Sequence, residues 1–327
     1  MSSEPLQLPG LFDLQVNGFA GVDFNAPDLT ADAVNVALER MRATGVTRCL
    51  PTLITSSLAD FARCARVLAD QSTPAIAGIH MEGPYLAPAD GPRGAHRPEH
   101  VRTPSIDDFR RRQDAARGRI VLVTLAPELP GSLSLIEHLI ASGVRVAIGH
   151  TDATPQQIAD AAAAGATLAT HVGNGCARLL PRHPNVIWEM LATDALFASI
   201  IVDGHHLPPS TVKVMVRSKS AERTILVTDA IAAAGCAPGP YTIGGVACER
   251  SADGRVSLPG TPYLAGSSLT LDQAIGNTVR FSALPLEAVI PMASTIPARY
   301  LGTTTLGTVT ADWDGDACEL HIRHVTQ

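Results

Sequence analysis

Eight short apolar runs recur along the 327-residue chain, separated by amphipathic segments that are rich in alanine. The runs are continuously apolar rather than alternating, as is typical of parallel strands that are buried on both faces. Two of the separating segments, 30–45 and 154–165, begin with Thr and end at Gly, which favour helix starts and helix ends. This alternation predicts an α/β fold, a (β/α)8 barrel. The predicted strand runs are 11–17, 48–54, 75–83, 120–128, 145–151, 168–174, 197–204 and 224–230.

The pattern changes after Gly235, where turn-forming residues become frequent. Such a composition predicts two or three short antiparallel strands, and a helix is expected to follow them at 269–281. We therefore predict a barrel over residues 10–303 with a β insertion at about 236–263. Residues 304–327 are predicted to be the C-terminal strands of a small β appendage beside the barrel.

Composition favours one large domain that acts on a small molecule. With 46% hydrophobic and 17% charged residues, the chain can bury a large core. The net charge is −6 and no run of five like charges occurs, which argues against binding to nucleic acid or to an anionic membrane. No stretch reaches about 18 apolar residues and no signal-peptide pattern is seen, so the expected location is the cytoplasm. The six cysteines lack CxxC spacing and are expected to be reduced.

Four polar residues close four of the apolar runs: Glu82, His150, His171 and Asp229. The carboxyl ends of barrel strands meet at one face, so these side chains are expected to lie close together. Two imidazoles and a carboxylate suit Zn²⁺ with one position left open for water, and they also accept Fe²⁺, Mn²⁺ or Co²⁺. A carboxylate at Asp229 can accept a proton from that water without binding the metal.

Each of these residues has an ordinary alternative role. A single His after a strand is more often a hydrogen-bonded loop residue than a ligand, and a lone Glu there often caps the next helix. The metal prediction therefore depends on all four coinciding at one face. His80 shares its side of the strand with Glu82 and is a candidate fifth ligand, but it is expected deeper in the barrel, where packing is the alternative.

Five sequence motifs are specific in combination: PGLFDLQVNG at 9–18, HMEGPYLAP at 80–88, GHTDAT at 149–154, THVGNG at 170–175 and VTDAIAAAG at 227–235. Through them the chain resembles the N-acetylglucosamine-6-phosphate deacetylases of the amidohydrolase superfamily over nearly its whole length. The resemblance implies a TIM-like metal-dependent hydrolase barrel with a small β domain. It also implies hydrolysis of the acetamide of N-acetylglucosamine 6-phosphate to glucosamine 6-phosphate and acetate.

The resemblance also implies roles for residues at the reacting centre. Glu82, His150 and His171 match the ligands of a divalent metal ion, and Asp229 matches the general base that later returns the proton to the amine. His96 matches a histidine that helps to polarise the acetamide carbonyl group. These assignments agree with the argument from strand ends.

Other matched positions are implied to hold the sugar phosphate. Backbone amides near Asn174 and Gly175 would bind sugar hydroxyls, and His206 and Arg182 would bind the phosphate. The arginine is implied to reach in from the neighbouring subunit of a homodimer, the commonest symmetric assembly. Taken alone, Arg182 could be a solvated loop residue, and His206 could cap the helix expected near Pro208.

Three features depart from the family pattern. Gln15-Val16-Asn17 stands where many amidohydrolases carry His-x-His, so one metal ion is predicted rather than two. The sequence given begins almost at the first strand, so the small β domain is expected to lack its N-terminal half. The loop at 171–184 differs from the commoner pattern, which leaves the sugar epimer, the acyl group and the need for the phosphate open.

Three other functions remain as alternatives. Hydrolysis of a different N-acyl amino sugar, N-acyl amine or cyclic amide needs the metal cluster but not Arg182 and His206 as a phosphate clamp. A catalytically silent protein that senses a sugar phosphate has no use for a proton-transfer residue, so Asp229 argues against it. A metal-free barrel enzyme would not need the three metal ligands Glu82, His150 and His171.

Overall fold

Within residues 5–326, which the computed structural model describes, eight strands form one parallel sheet. In chain order the strands are β1 Leu6–Pro9, β2 Leu11–Val16, β3 Gly18–Phe19, β4 Val22–Asp23, β5 Val46–Ile54, β6 Ile79–Glu82, β7 Ile120–Leu125, β8 Arg145–Ile148, β9 Leu168–Ala169, β10 Phe197–Ile200, β11 Thr224–Leu226, β12 Gly239–Ile243, β13 Val246–Arg250, β14 Val256–Ser257, β15 Thr308–Asp314 and β16 Glu319–Val325. The large sheet contains β2 and β5 to β11, each paired with the next in chain order.

Contacts between the first and last strands close this sheet into a barrel. Val16 forms a parallel bridge with Ala230, and the backbone N–H of Asn17 donates to the Ala230 carbonyl at 2.7 Å. On the other side of the bridge, the N–H of Asp229 donates to the Gln15 carbonyl at 2.9 Å. The expected barrel is therefore confirmed, and each of the eight predicted runs contains or overlaps one of its strands.

A helix follows each barrel strand, although short β segments lie first after β2 and β11. The helices are α1 Ala31–Ala43, α2 Leu58–Ala69, α3 Ile106–Ala115, α4 Ser132–Ala141, α5 Pro155–Ala163, α6 Val186–Ala192, α7 Pro209–Lys219, α8 Leu271–Ser282, α9 Leu286–Val289 and α10 Thr295–Tyr300, with 3-10 helices at Pro98–His100, Ala221–Arg223 and Ile290–Ala293. None of the helices in the described part of the chain is long and apolar enough to cross a membrane.

Local sequence explains where two of these helices begin and end. The side chains of Thr30 and Thr154 accept hydrogen bonds from the first turns of α1 and α5, and Gln157 completes a capping box in α5. Gly45 and Gly165 lie just beyond the same two helices with φ of +88° and +114°, a backbone region that favours glycine. The predicted caps are thus confirmed.

Besides the antiparallel pair β3 and β4, two antiparallel sheets of three strands each lie outside the barrel in the described part of the chain. Strands β12, β13 and β14 form one of them, within the predicted insertion. Strands β15 and β16 pair with each other, and β1 pairs with β15 as the third strand of the other sheet. The segment before the barrel therefore supplies one strand to the appendage. The domain boundaries at residues 303 and 304 stay a prediction.

Candidate active site

A cavity of about 510 Å³ opens at the carboxyl ends of the barrel strands. Its lining includes all four of the residues that close the apolar runs, namely Glu82, His150, His171 and Asp229. The carboxyl end of β6, where Glu82 is the last residue, and the loops after β8, β9 and β11 therefore bring together side chains that are far apart in sequence.

Three of these side chains are arranged as a metal-binding group. The Oε1 atom of Glu82 lies 3.1 Å from Nε2 of His150 and 3.1 Å from Nε2 of His171, and the two Nε2 atoms are also 3.1 Å apart. All three residues are buried. A single ion can contact three donors at these separations, and two imidazoles with a carboxylate are a common set for a catalytic divalent ion.

The tautomer of His150 supports the same assignment. Its Nδ1 lies 2.9 Å from the carbonyl oxygen of Pro92, which can only accept a hydrogen bond. A neutral ring therefore carries its proton on Nδ1, which leaves the lone pair of Nε2 for a metal ion. Such a backbone contact is how metal-binding histidines are usually oriented.

Backbone geometry at the strand ends turns these side chains into the cavity. His150, His171 and Asp229 have φ of +52°, +30° and +50°, in the left-handed region that L residues rarely adopt. Hydrogen bonds hold two of them there: His171 N–H donates to Ser199 Oγ at 2.8 Å, and Asp229 N–H donates to the Gln15 carbonyl. Strained backbone of this kind clusters at functional sites.

The carboxylates of the site differ in their protonation behaviour. Burial opposes ionisation of Glu82, but hydrogen bonds with His150 and His171 outweigh it and hold its pKa well below the usual range. Burial, reinforced by the negative charge of Glu82, raises the pKa of Asp229 to about 6. A carboxylate with such a pKa can both accept and return a proton near neutral pH.

His96 lies beside the metal-binding group. Its ring centroid is 4.4 Å from that of His150, and burial lowers its pKa to about 3, so the ring is neutral. Thr55 contacts Nδ1 of His96 with both its hydroxyl, at 2.9 Å, and its backbone N–H, at 3.4 Å. A backbone N–H can only donate, so Nδ1 is the acceptor and the ring proton is on Nε2.

The predicted sugar-phosphate residues fall into two groups. Asn174, Gly175 and His206 line the cavity. Nδ1 of His206 is held by Asp203 Oδ2 at 2.7 Å. Arg182 is exposed and does not line the cavity of its own chain.

The structure adds three residues to those that sequence reasoning singled out. Arg178 lines the cavity from the same loop as Arg182. Gln15 and Asn17 contact the carboxylates, whereas the sequence marked them only as the replacements of His-x-His. They could have been found as polar residues at alternate positions of an otherwise apolar run, since alternate side chains of a strand share one face.

His80 does not join the metal-binding group. Its Nε2 lies 2.8 Å from Thr124 Oγ1, and its Nδ1 lies 3.2 Å from the carbonyl oxygen of Leu14. Both ring nitrogens therefore have partners inside the barrel. This matches the packing alternative that its position in the strand suggested.

The model of the Amidohydrolase family matches residues 6–320. The chain is 32% identical to the N-acetylglucosamine-6-phosphate deacetylase of Lysinibacillus sphaericus, over 95% of this chain and 80% of that protein. It is 34% identical to the N-acetylgalactosamine-6-phosphate deacetylase of Escherichia coli O157:H7, over 91% of this chain and 78% of that protein. A solved structure of a mutant of the Mycobacterium smegmatis N-acetyl-D-glucosamine-6-phosphate deacetylase, in complex with N-acetyl-D-glucosamine-6-phosphate, has a TM-score of 0.90 at 32% identity, with 98% of this chain and 85% of that chain covered. The chain therefore belongs to the amidohydrolase family and, within it, to the family of N-acetylglucosamine-6-phosphate deacetylases.

Proposed function

We propose that this protein hydrolyses the acetamide bond of N-acetylglucosamine 6-phosphate, giving glucosamine 6-phosphate and acetate. The observation that carries the proposal is the meeting of the Glu-His-His group, Asp229 and His96 in one cavity. Relatives named for this activity cover most of the chain and support the substrate class.

The proposed cofactor is one divalent metal ion per chain, held by Glu82, His150 and His171. Zinc is the first choice because its preferred ligands are the ones present, and iron, manganese or cobalt suit the same donors. When bound, such an ion supplies Lewis acidity, which activates water and polarises a carbonyl group.

The residues of the chain have separate tasks in the proposed reaction. Asp229 accepts a proton from the attacking water and later gives it to the departing nitrogen, which leaves as an amine. His96 donates its Nε2–H to the acetamide oxygen, where negative charge develops as the carbon becomes tetrahedral. Collapse of that centre breaks the carbon–nitrogen bond and leaves acetate.

Recognition of the phosphate is proposed to involve two chains. His206 lines the cavity, and Asp203 fixes its ring. Arg182 is proposed to reach the site of a neighbouring subunit in a homodimer, because it is exposed and lies outside the cavity of its own chain. A cytoplasmic location is proposed because all six cysteines are free thiols.

The experiment is acetate release by the purified protein, with metal content determined on the same sample. We expect release from N-acetylglucosamine 6-phosphate with about one metal ion per chain, loss on chelation and recovery when metal is restored. N-acetylgalactosamine 6-phosphate is tested in parallel, because two relatives are named for that epimer.

Unphosphorylated N-acetylglucosamine and other N-acyl amines complete the substrate set. No release from N-acetylglucosamine 6-phosphate by a metal-loaded sample would contradict the proposal. Release from another N-acyl compound would then support the alternative, hydrolysis of a different amide.

A further inference from the structure

Strand β2 and the residue that follows it carry polar side chains at alternate positions, which share the inner face of the barrel. Asp13, Gln15 and Asn17 are each only 1% exposed. Buried polar groups need hydrogen-bond partners, so the contacts of these side chains indicate their roles. Asp13 binds Thr228 inside the barrel, whereas Gln15 and Asn17 contact the active-site carboxylates.

The Gln15 side chain bridges the two carboxylates of the site. Its Nε2 donates to Glu82 Oε1 at 2.9 Å and to Asp229 Oδ1 at 3.2 Å. An amide nitrogen carries two N–H groups, so one is available for each carboxylate. Gln15 thus connects the proposed metal ligand to the proposed proton-transfer residue.

These contacts distinguish the two oxygens of Asp229. Oδ1 accepts from Gln15 and also from Asn17 Nδ2 at 2.7 Å. Oδ2 has no hydrogen-bond partner among residues 5–326. Two amides therefore hold Oδ1, while Oδ2 remains available to a molecule bound in the cavity that Asp229 lines.

We propose that Gln15 is a positioning residue, which holds Asp229 by Oδ1 so that Oδ2 carries the proton during amide hydrolysis. The inference rests on the proposed function and deepens it. The carboxylates of Glu82 and Asp229 repel each other, and the Gln15 amide between them offsets this repulsion by donating to both. Because the amide is neutral, it adds no positive charge that would compete with a metal ion for Glu82. Without the bridge, Asn17 alone is left to hold the Asp229 carboxylate, and we expect that single contact to give way as the carboxylate rotates about its side-chain bonds.

The test replaces Gln15 by Met, which has a similar length and no N–H group. We expect kcat to fall about 10- to 100-fold, as for other residues that orient active-site groups, with KM and metal content nearly unchanged. Gln156→Met is the matched control, since Gln156 is an exposed residue of α5 whose side chain, within residues 5–326, hydrogen bonds only to Asp160 on the same helix. Gln15→Leu serves if the first variant does not fold.

Combination with Asp229→Asn separates positioning from general damage. If Gln15 acts through Asp229, then Gln15→Met should not lower the residual kcat of Asp229→Asn any further. A further loss equal to that seen in the wild-type background would overturn the proposal. An unchanged kcat in Gln15→Met alone would overturn it as well.

A crystal structure of metal-loaded Gln15→Met tests the same point without substrate. We expect the Asp229 carboxylate to leave the position in which its Oδ1 accepts a hydrogen bond from Asn17 Nδ2. A carboxylate that stays in place means that Gln15 does not position it. If wild-type protein releases no acetate, the proposed function fails, and this measurement still decides whether Gln15 holds Asp229.

Discussion

At the scale of single residues, burial gives two aspartates of this barrel unusual acidities. Asp229 lies at the carboxyl end of the barrel, where a pKa of about 6 suits proton transfer. Asp13 lies deeper on β2, where burial outweighs its hydrogen bonds with Thr228 and Gln15 and raises its pKa to about 7. The first shift bears on catalysis and the second on stability, so they predict different pH dependences.

The pKa of Asp229 predicts the acid limb of the activity profile. The carboxylate must be ionised to accept a proton, so kcat/KM should fall about tenfold per pH unit below its pKa. A bound cation lowers that pKa further, which places the limb at or below about pH 6. The measurement is kcat/KM between about pH 4.5 and about pH 8.5, on the order of eight points, with metal content checked at each. If Asp229→Asn showed the same acid limb, Asp229 would not be the group that titrates.

Asp13 predicts a fall in stability as pH rises. Its folded pKa of about 7 exceeds the ordinary value of 3.8, so the folded protein binds the proton more tightly. The free energy of unfolding should therefore decrease between about pH 4 and pH 7, by up to about 4 kcal/mol from this group. Asp13→Asn imitates the protonated form, because its amide can donate to Thr228 Oγ1, and should reduce this decrease.

Urea unfolding midpoints at several pH values test this prediction. The exposed Asp107, in the first turn of α3, provides the control Asp107→Asn, which should keep the pH dependence of the wild type. If the stability of Asp13→Asn fell with rising pH as steeply as that of the wild type, Asp13 would ionise as easily in the folded protein as in the unfolded chain.

At the scale of elements, the sequence predicted where the strands and several helices lie, but it placed the carboxyl ends of strands too late. The run at 168–174 contains only the two strand residues of β9, Leu168–Ala169, because the chain leaves the sheet before His171. Apolarity continues into such loops since they pack over the barrel, so composition alone does not mark the end of pairing.

The metal-binding group was accessible to sequence reasoning because its members share a position, the end of a barrel strand. The neighbours that orient them were less accessible. Thr55 and Pro92 fix His96 and His150 through a hydroxyl, a backbone N–H and a carbonyl. Any residue type supplies the backbone groups, so the sequence carries no distinct mark of them.

The loop after β9 packs against the loop that carries His150, and one glycine makes this contact close. A Cβ at Gly175 would lie 2.9 Å from His150 Nδ1, in a backbone with φ of +57°. Gly175→Ala should therefore displace His150 and weaken metal binding about 10- to 100-fold. Gly118→Ala is the matched control, because Gly118 also has a positive φ, of +77°, and a Cβ there would meet nothing within 4 Å.

Metal affinity measured by competition with a chelator tests this prediction. Both variants carry the strain of a left-handed alanine, about 1 to 2 kcal/mol, so a similar loss of stability is expected in each. Only Gly175→Ala should also lose metal affinity. Equal affinities in the two variants would show that the loop yields to the added methyl group without moving His150.

At the scale of the whole molecule, the two arginines of the loop after β9 differ in their position relative to the cavity. Arg178 lines it from the same chain, whereas Arg182 is exposed and lies outside it. A phosphate group binds most strongly where arginines can donate two hydrogen bonds together. A second subunit that brings Arg182 to this cavity would complete such a clamp, and in a symmetric dimer each chain would serve the other.

Mixed dimers test whether the sites are shared. Arg182→Ala and Glu82→Gln variants should each be nearly inactive towards the sugar phosphate, the first without the phosphate clamp and the second without a metal ligand. After subunit exchange in an equal mixture, about half of the dimers contain both variants, and each of these has one complete site, so about one quarter of wild-type activity should return. Mixing Glu82→Gln with His171→Ala provides the control, because both variants lack a ligand of the same metal and no complete site can form. No recovery in the first mixture, with exchange verified by differently tagged subunits, would mean that Arg182 does not complete a neighbouring site.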